Sequence, residues 1–89
     1  MQSNLCNLPS GPVLPLDRMR AGETGTIVRV CGGGGIVRRL LDMGFAPGAP
    51  VRLVSDTGSA GPVIVRVGEA RIGIGRGMAR RVMVRPDHA

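Results

Sequence analysis

The sequence predicts an all-β fold with one inserted short helix, a small partly open β-barrel of about five strands. Three observations carry that prediction. Val, Ile and Leu dominate the apolar residues while Phe45 is the only aromatic, so the interior is built from branched aliphatic side chains, which pack well on a pleated surface. The chain holds 15 glycines and 7 prolines, too many for long helices, and the turns they mark recur roughly every 8 to 12 residues, as in small barrels. Its length of 89 residues makes one domain, because a chain this short buries only about 60–65 % of its unfolded surface. A deep cleft between two lobes is not expected.

Residues 1–15 (MQSNLCNLPSGPVLP) carry three prolines, no charge and no sustained periodicity, the make-up of a flexible N-terminal tail. The domain, residues 16–84, opens with one turn at Leu16-Asp17-Arg18-Met19, in which Leu16 and Met19 point inward. Ala21-Gly22-Glu23 follows as a turn. From Thr24 to Cys31 the β-branched density predicts a first strand, with Val28 and Val30 facing the core and Ile27 and Arg29 on the other face.

The period then changes. Ile36, Val37, Leu40 and Leu41 recur at helical spacing while Arg38, Arg39 and Asp42 fall on the polar side, so residues 36–43 read as the one convincing helix. Its stop is also legible: Gly44 suits the left-handed conformation past the last turn, Phe45 can fold back on Leu40, and Pro47-Gly48 turns the chain away.

Three strands follow, with Val51 and Leu53, then Val63, Val65 and Val67, then Ile72 and Ile74 inward against Arg52, Arg66 and Arg71 outside. The stretch from Ser55 to Pro62 is a polar loop, Gly68-Glu69 a tight hairpin turn, and Gly75 to Arg81 a turn or single helical turn before a last strand at Val82 to Val84. Residues 85–89 are expected to be a disordered C-terminal end. The element order points to a barrel of the SH3-like kind.

The net charge of +6 comes from twelve cations, all of them Arg, against six carboxylates. Such a surface attracts RNA, anionic lipid or an acidic protein face. Readers of single-stranded RNA stack bases on aromatic rings, and the chain has no Trp and no Tyr, so nucleic acid is not the expected partner. Cys6 and Cys31 are too few for the disulfide framework of a small secreted domain, and the N-terminus lacks a signal-peptide layout. A cytoplasmic location is expected. The apolar runs fall far below the roughly 20 residues that cross a bilayer, which leaves a membrane within reach only through a partner.

No catalytic residues are expected. The only histidine, His88, is the second-to-last residue, which leaves no nucleophile–base pair, and the carboxylates are scattered singly. The glycine run Gly32 to Gly35 is not followed by the Lys-Ser/Thr of a nucleotide loop, and Gly73 to Gly77 has the wrong spacing for a dinucleotide fingerprint. Both are structural. A closed zinc site needs four ligands at local spacings, so no intrinsic metal site and no required cofactor are expected. Cys6, Cys31 and His88 are candidates for adventitious capture of zinc or another divalent metal between molecules, which with edge pairing is also a route to a weak or metal-bridged homo-oligomer. What remains is surface: Ile27, Val54, Ile64 and Met83 are expected on the outer face, as a contact patch or as a second small core beneath the helix.

The series Leu16, Gly22-Glu23, Gly25-Thr26-Ile27-Val28, RRLLDMGFAPG from Arg38 to Gly48, Val51, Pro62-Val63, Val65, Ala79, Val82 and Val84 resembles the FeoA family. The match spans about residues 16 to 84 and is most specific from Arg39 to Phe45 with Pro47-Gly48. The Pro-rich extension before Leu16 lies outside it. The resemblance implies an SH3-like barrel in the bacterial cytoplasm that associates with the ferrous-iron transporter FeoB, a membrane protein with a cytoplasmic G-domain, and that supports or regulates Fe(II) uptake. The same domain type occurs at the end of metal-dependent repressors, but no helix-turn-helix fits in this chain. Within the accessory-protein reading, the partner-binding residues are expected at Arg38, Arg39, Met43 and Phe45. The rival readings are an RNA- or nucleotide-binding barrel that uses the Arg surface and an iron-carrying chaperone.

Overall fold

The computed structural model describes residues 13–56, 58 and 61–87. Six antiparallel strands form one sheet in the order β1-β6-β2-β3-β4-β5: β1 (Leu14–Pro15), β2 (Thr24–Val30), β3 (Pro50–Asp56), β4 (Val63–Val67), β5 (Ala70–Ile74) and β6 (Val82–Pro86). Helix α1 (Gly34–Asp42) is inserted between β2 and β3, and the one-turn helix α2 (Arg76–Ala79) between β5 and β6. The mostly-β architecture with one substantial inserted helix is the one the sequence predicts.

The core is aliphatic around a single ring. Leu16, Leu40, Phe45, Leu53, Val63, Val65, Val82 and Val84 are fully buried, with Ile27, Val51, Val67 and Ile74 beside them. Leu16 and Met19 both point inward from a 3-10 turn in which the Met19 amide donates to the Leu16 carbonyl at 3.1 Å. The alternation expected for β3 and β4 is present: Val51 and Leu53, then Val63, Val65 and Val67 are buried while Arg52 and Arg66 are exposed. In β5, Ile74 is buried and Ile72 packs against the core from a partly exposed position. Gly68-Glu69 joins β4 to β5 as a two-residue turn between the paired residues Val67 and Ala70.

Four features differ from the sequence reading. In β2 the inward residue is Ile27, 1 % exposed, not Val28. Opposite β6 the pairing runs Ile27↔Val84 and then Arg29↔Met83, so Val28 is the extra residue of a β-bulge. A bulge resets the two-residue alternation, which puts Ile27 inward before it and lets Val30 pack on the core after it. The proposed outer patch therefore does not form as such, since Ile27 belongs to the core and Met83 is also buried. Val54 and Ile64 are half-buried, with Val54 at a second bulge, between Leu53 and Ser55.

The two ends of the domain also extend further than expected. Leu14 and Pro15 pair with Val84 and Met83, and Leu14 packs against the core; a proline fits here because β1 is an edge strand, where a missing N–H costs no ladder bond. At the other end β6 continues to Pro86. The Asp87 amide then donates to the Thr24 carbonyl at 2.9 Å, and Thr24 Oγ1 donates to Asp87 Oδ2 at 2.6 Å. Leu14 and Pro15 at one end, and Arg85 to Asp87 at the other, are thus tied to the sheet.

Strands β2 and β6 approach very closely at Gly25. A Cβ there would lie 2.6 Å from the Arg85 carbonyl oxygen and 2.7 Å from Val84 Cγ1. Only a glycine lets the two backbones meet this way.

Candidate partner-docking surface

Helix α1 begins at the glycine run. Gly33 is the N-cap and offers no side-chain hydrogen bond, so the four glycines act here as an open entry to the helix. The exit is far more specified. Past the C-cap Met43, the Gly44 amide donates to the Leu41 carbonyl and the Phe45 amide to the Leu40 carbonyl, each at 3.0 Å, with Gly44 at φ +103°. This pair of bonds is the Schellman stop, which satisfies the last carbonyls of the helix and turns the following residue back over it. The chain then ties to β2, because the Gly48 amide donates to the Ile27 carbonyl at 2.7 Å and the Ile27 amide to the Ala49 carbonyl at 2.9 Å. The helix end is thereby fixed relative to the sheet.

The stop decides which side chains face out. Phe45, expected at the contact surface, is 0 % exposed: the reversal carries it into the core beside Leu40, and it has no surface to offer a partner. Met43 is half-buried and packs against the core. Arg38 and Arg39 are exposed. Leu41 is exposed at 42 %, the one large exposed apolar side chain among the described residues. It sits three positions from Arg38, hence beside it on the helix surface. Arg39 lies on the opposite flank of the solvent face, so the site combines a single aliphatic knob with two guanidinium groups that have no ion-pair partner among the described residues.

A second cationic feature lies on the sheet. Arg52 of β3 is directly opposite Arg66 of β4, and Arg66 is directly opposite Arg71 of β5; all three are exposed. The ion pair present among the described residues is elsewhere: Arg76 of α2 binds the Asp56 carboxylate and also donates to the Gly58 carbonyl. The Gly58 amide donates to Asp56 Oδ1 at 3.0 Å. That backbone bond, and then the Arg76 guanidinium, hold the Asp56 carboxyl below its usual range.

Of the residues considered for adventitious metal capture, Cys6 and His88 lie outside the described residues. Cys31 is buried at the end of β2 and does not present a free thiol. The described residues contain no group of three or more His, Cys, Asp or Glu that could hold a metal ion. No helix among them is long and apolar enough to cross a membrane.

The family model of the FeoA domain matches residues 14–86, from the residue where β1 begins to the residue where β6 ends. The chain is 33 % identical over 70 residues to a protein of Methanocaldococcus jannaschii called putative Fe(2+) transport protein A, covering 79 % of this chain and 83 % of that one. A crystal structure of an iron uptake regulatory protein, FeoA, is similar at 40 % identity and a TM-score of 0.78, covering 83 % of this chain and 97 % of the other. The FeoA of Stenotrophomonas maltophilia, solved with zinc and described as a prokaryotic SH3 domain protein, is 28 % identical with a TM-score of 0.70 over 80 % of this chain and 88 % of that one.

Proposed function

The chain belongs to the FeoA domain family, associated with ferrous-iron transport, and from that membership we propose that it is an accessory protein that docks on the cytoplasmic region of a FeoB-type transporter and supports or regulates it. The observation that carries the docking surface is the exposure of Leu41 beside Arg38 on a helix whose end is pinned to the sheet. An exposed leucine on a small domain contributes contact area at no cost in side-chain ordering beyond its own two torsions. Flanking arginines steer an approaching acidic face and can form two-pronged bonds to its carboxylates. Because the helix is fixed at its exit by backbone hydrogen bonds, binding there requires little reordering, which favours affinity. In this reading ferrous iron is the transporter's cargo and is not held by the barrel.

The test is a pull-down of the transporter's soluble cytoplasmic region with the wild-type protein, Arg39→Glu and Leu41→Asp. Both variants change exposed side chains, so their melting temperatures should match the wild type. Loss of binding in both is the expected result; wild-type binding in both would discard the helix surface, and absence of binding by the wild type would discard the partner. Phe45→Ala is unsuited to this purpose because it empties the core.

A further inference from the structure

The row of arginines on β3, β4 and β5 is not needed by the helix reading and asks for its own explanation. Strands in a sheet lie about 5 Å apart, so Arg52, Arg66 and Arg71 form a strip roughly 10 Å across with three guanidinium groups side by side. Like charges directly opposite one another weaken a strand pair, and here the opposition occurs twice in succession, Arg52↔Arg66 and Arg66↔Arg71. None of the three has an ion-pair partner among the described residues. The row continues into β2 at Thr24, opposite Arg52, where the nearby Asp87 accepts from the Thr24 hydroxyl and lies beyond ion-pair distance of the three arginines.

Arg52 and Arg66 are shared by two shallow depressions, each of ≈ 250 Å³. One is walled by Gly22, half-buried Val54 and Arg71, the other by Thr24, Pro50 and Asp87. That volume is below the range of about 300–1,000 Å³ typical of organic ligands. It suits single side chains.

We propose that Arg52, Arg66 and Arg71 dock an acidic segment of a partner protein, its Asp or Glu carboxylates seated between the guanidinium forks. Each carboxylate would bridge two neighbouring arginines and convert their mutual repulsion into paired, charge-assisted hydrogen bonds. A nucleic acid fits less well. There is no ring on this face for a base to stack on, since Phe45 is fully buried, and three cations contact too few phosphates for useful affinity at physiological salt. This surface is separate from α1 and does not depend on which protein supplies the segment.

The test uses the full chain, isotope-labelled for amide NMR and titrated with a short synthetic peptide of alternating Asp and Glu. The amides of Gly22, Arg52, Arg66 and Arg71 should shift, and affinity should fall as salt is raised. Arg66→Glu should weaken binding about tenfold or more. Arg66→Thr should also weaken it while leaving the melting temperature equal or higher, because the central like charge is gone; a loss of fold therefore cannot explain the loss of binding. Arg80→Glu, the same charge change at an exposed position away from the row, should leave binding unchanged. Shifts confined to other faces, wild-type affinity in Arg66→Thr, or tighter binding by a single-stranded RNA of equal charge would each overturn the proposal. None of these results bears on the transporter pull-down, so the two readings fail separately.

Discussion

The backbone amide of Phe45 donates to the carbonyl of Leu40 at 3.0 Å, and both side chains are 0 % exposed. This one bond closes helix α1, fills the middle of the core with its only ring and leaves Leu41, the next residue after Leu40, facing solvent. The balance between structure and surface in this protein is set at that turn.

The turn depends on Gly44. At φ +103° a side chain meets the backbone whatever the surrounding space, and a Cβ would also lie 3.6 Å from Val67 Cγ1. Gly44→Val should destabilise the domain by roughly 1–2 kcal/mol or more, measured as a fall in the urea midpoint with an unchanged slope. A midpoint equal to wild type would mean that the left-handed turn is dispensable.

Phe45 and Leu41 should behave oppositely to a reading in which the phenyl ring is the contact and the leucine the core. Phe45→Ala removes a fully buried ring and should cost about 3–5 kcal/mol, a large part of the stability of a domain this size. Leu41→Ala, at an exposed position, should stay within about 0.5 kcal/mol of wild type. Thermal or urea unfolding of the two variants side by side decides it.

Gly25→Ala should destabilise more than an alanine normally does in a strand. The added methyl meets the Arg85 carbonyl oxygen at 2.6 Å and Pro86 Cα at 3.1 Å, and backbone atoms cannot rotate away as a side chain would. Parting β2 from β6 should cost about 1–3 kcal/mol, with amide exchange accelerated at Thr26 and Arg85, which pair beside it.

Acid should loosen the loop after β3. The Asp56 carboxyl is held below its usual range by the Gly58 amide and then by Arg76, so the folded state prefers it ionised. A depressed folded pKa contributes stability that is fully present above the ordinary carboxylate range and disappears as pH falls through the depressed value. Asp56→Asn should therefore lower stability slightly at neutral pH, only slightly because the pair is at the surface, and flatten the acid limb of the stability profile below about pH 4, where the wild type loses that same contribution. An unaltered acid limb in Asp56→Asn would assign it to other carboxylates.

Much of the fold is written locally. Period-two valines in β4, helical spacing around Leu40, the glycine stop and the Gly68-Glu69 turn each act within a few residues, and each is present as read. Less local facts were hidden. The bulge at Val28 exists only against β6, so nothing within β2 announces that Ile27 rather than Val28 faces the core. Leu14 looks like part of a proline-rich tail until Val84 arrives to pair with it. Leu41 has the helical spacing of a core residue, and only the packing of Leu40 and Phe45 shows that the core is complete without it. The arginine row is of the same kind: outward placement of Arg52, Arg66 and Arg71 follows from alternation, but their direct opposition is a matter of register.

Strand β6 lies between β1 and β2, so the last of the six strands to be synthesised separates the first two in space. Until Val82 to Pro86 are available, Leu14 and Ile27 have no mate on that side, and the polypeptide can assemble only the β2-to-β5 part of the sheet. The final closure joins Ile27 to Val84 across most of the chain, a distant contact of the kind that slows assembly. For such a molecule the sheet is completed only when β6 arrives, and a lesion that shortens that strand would leave an exposed aliphatic edge rather than a slightly weaker domain.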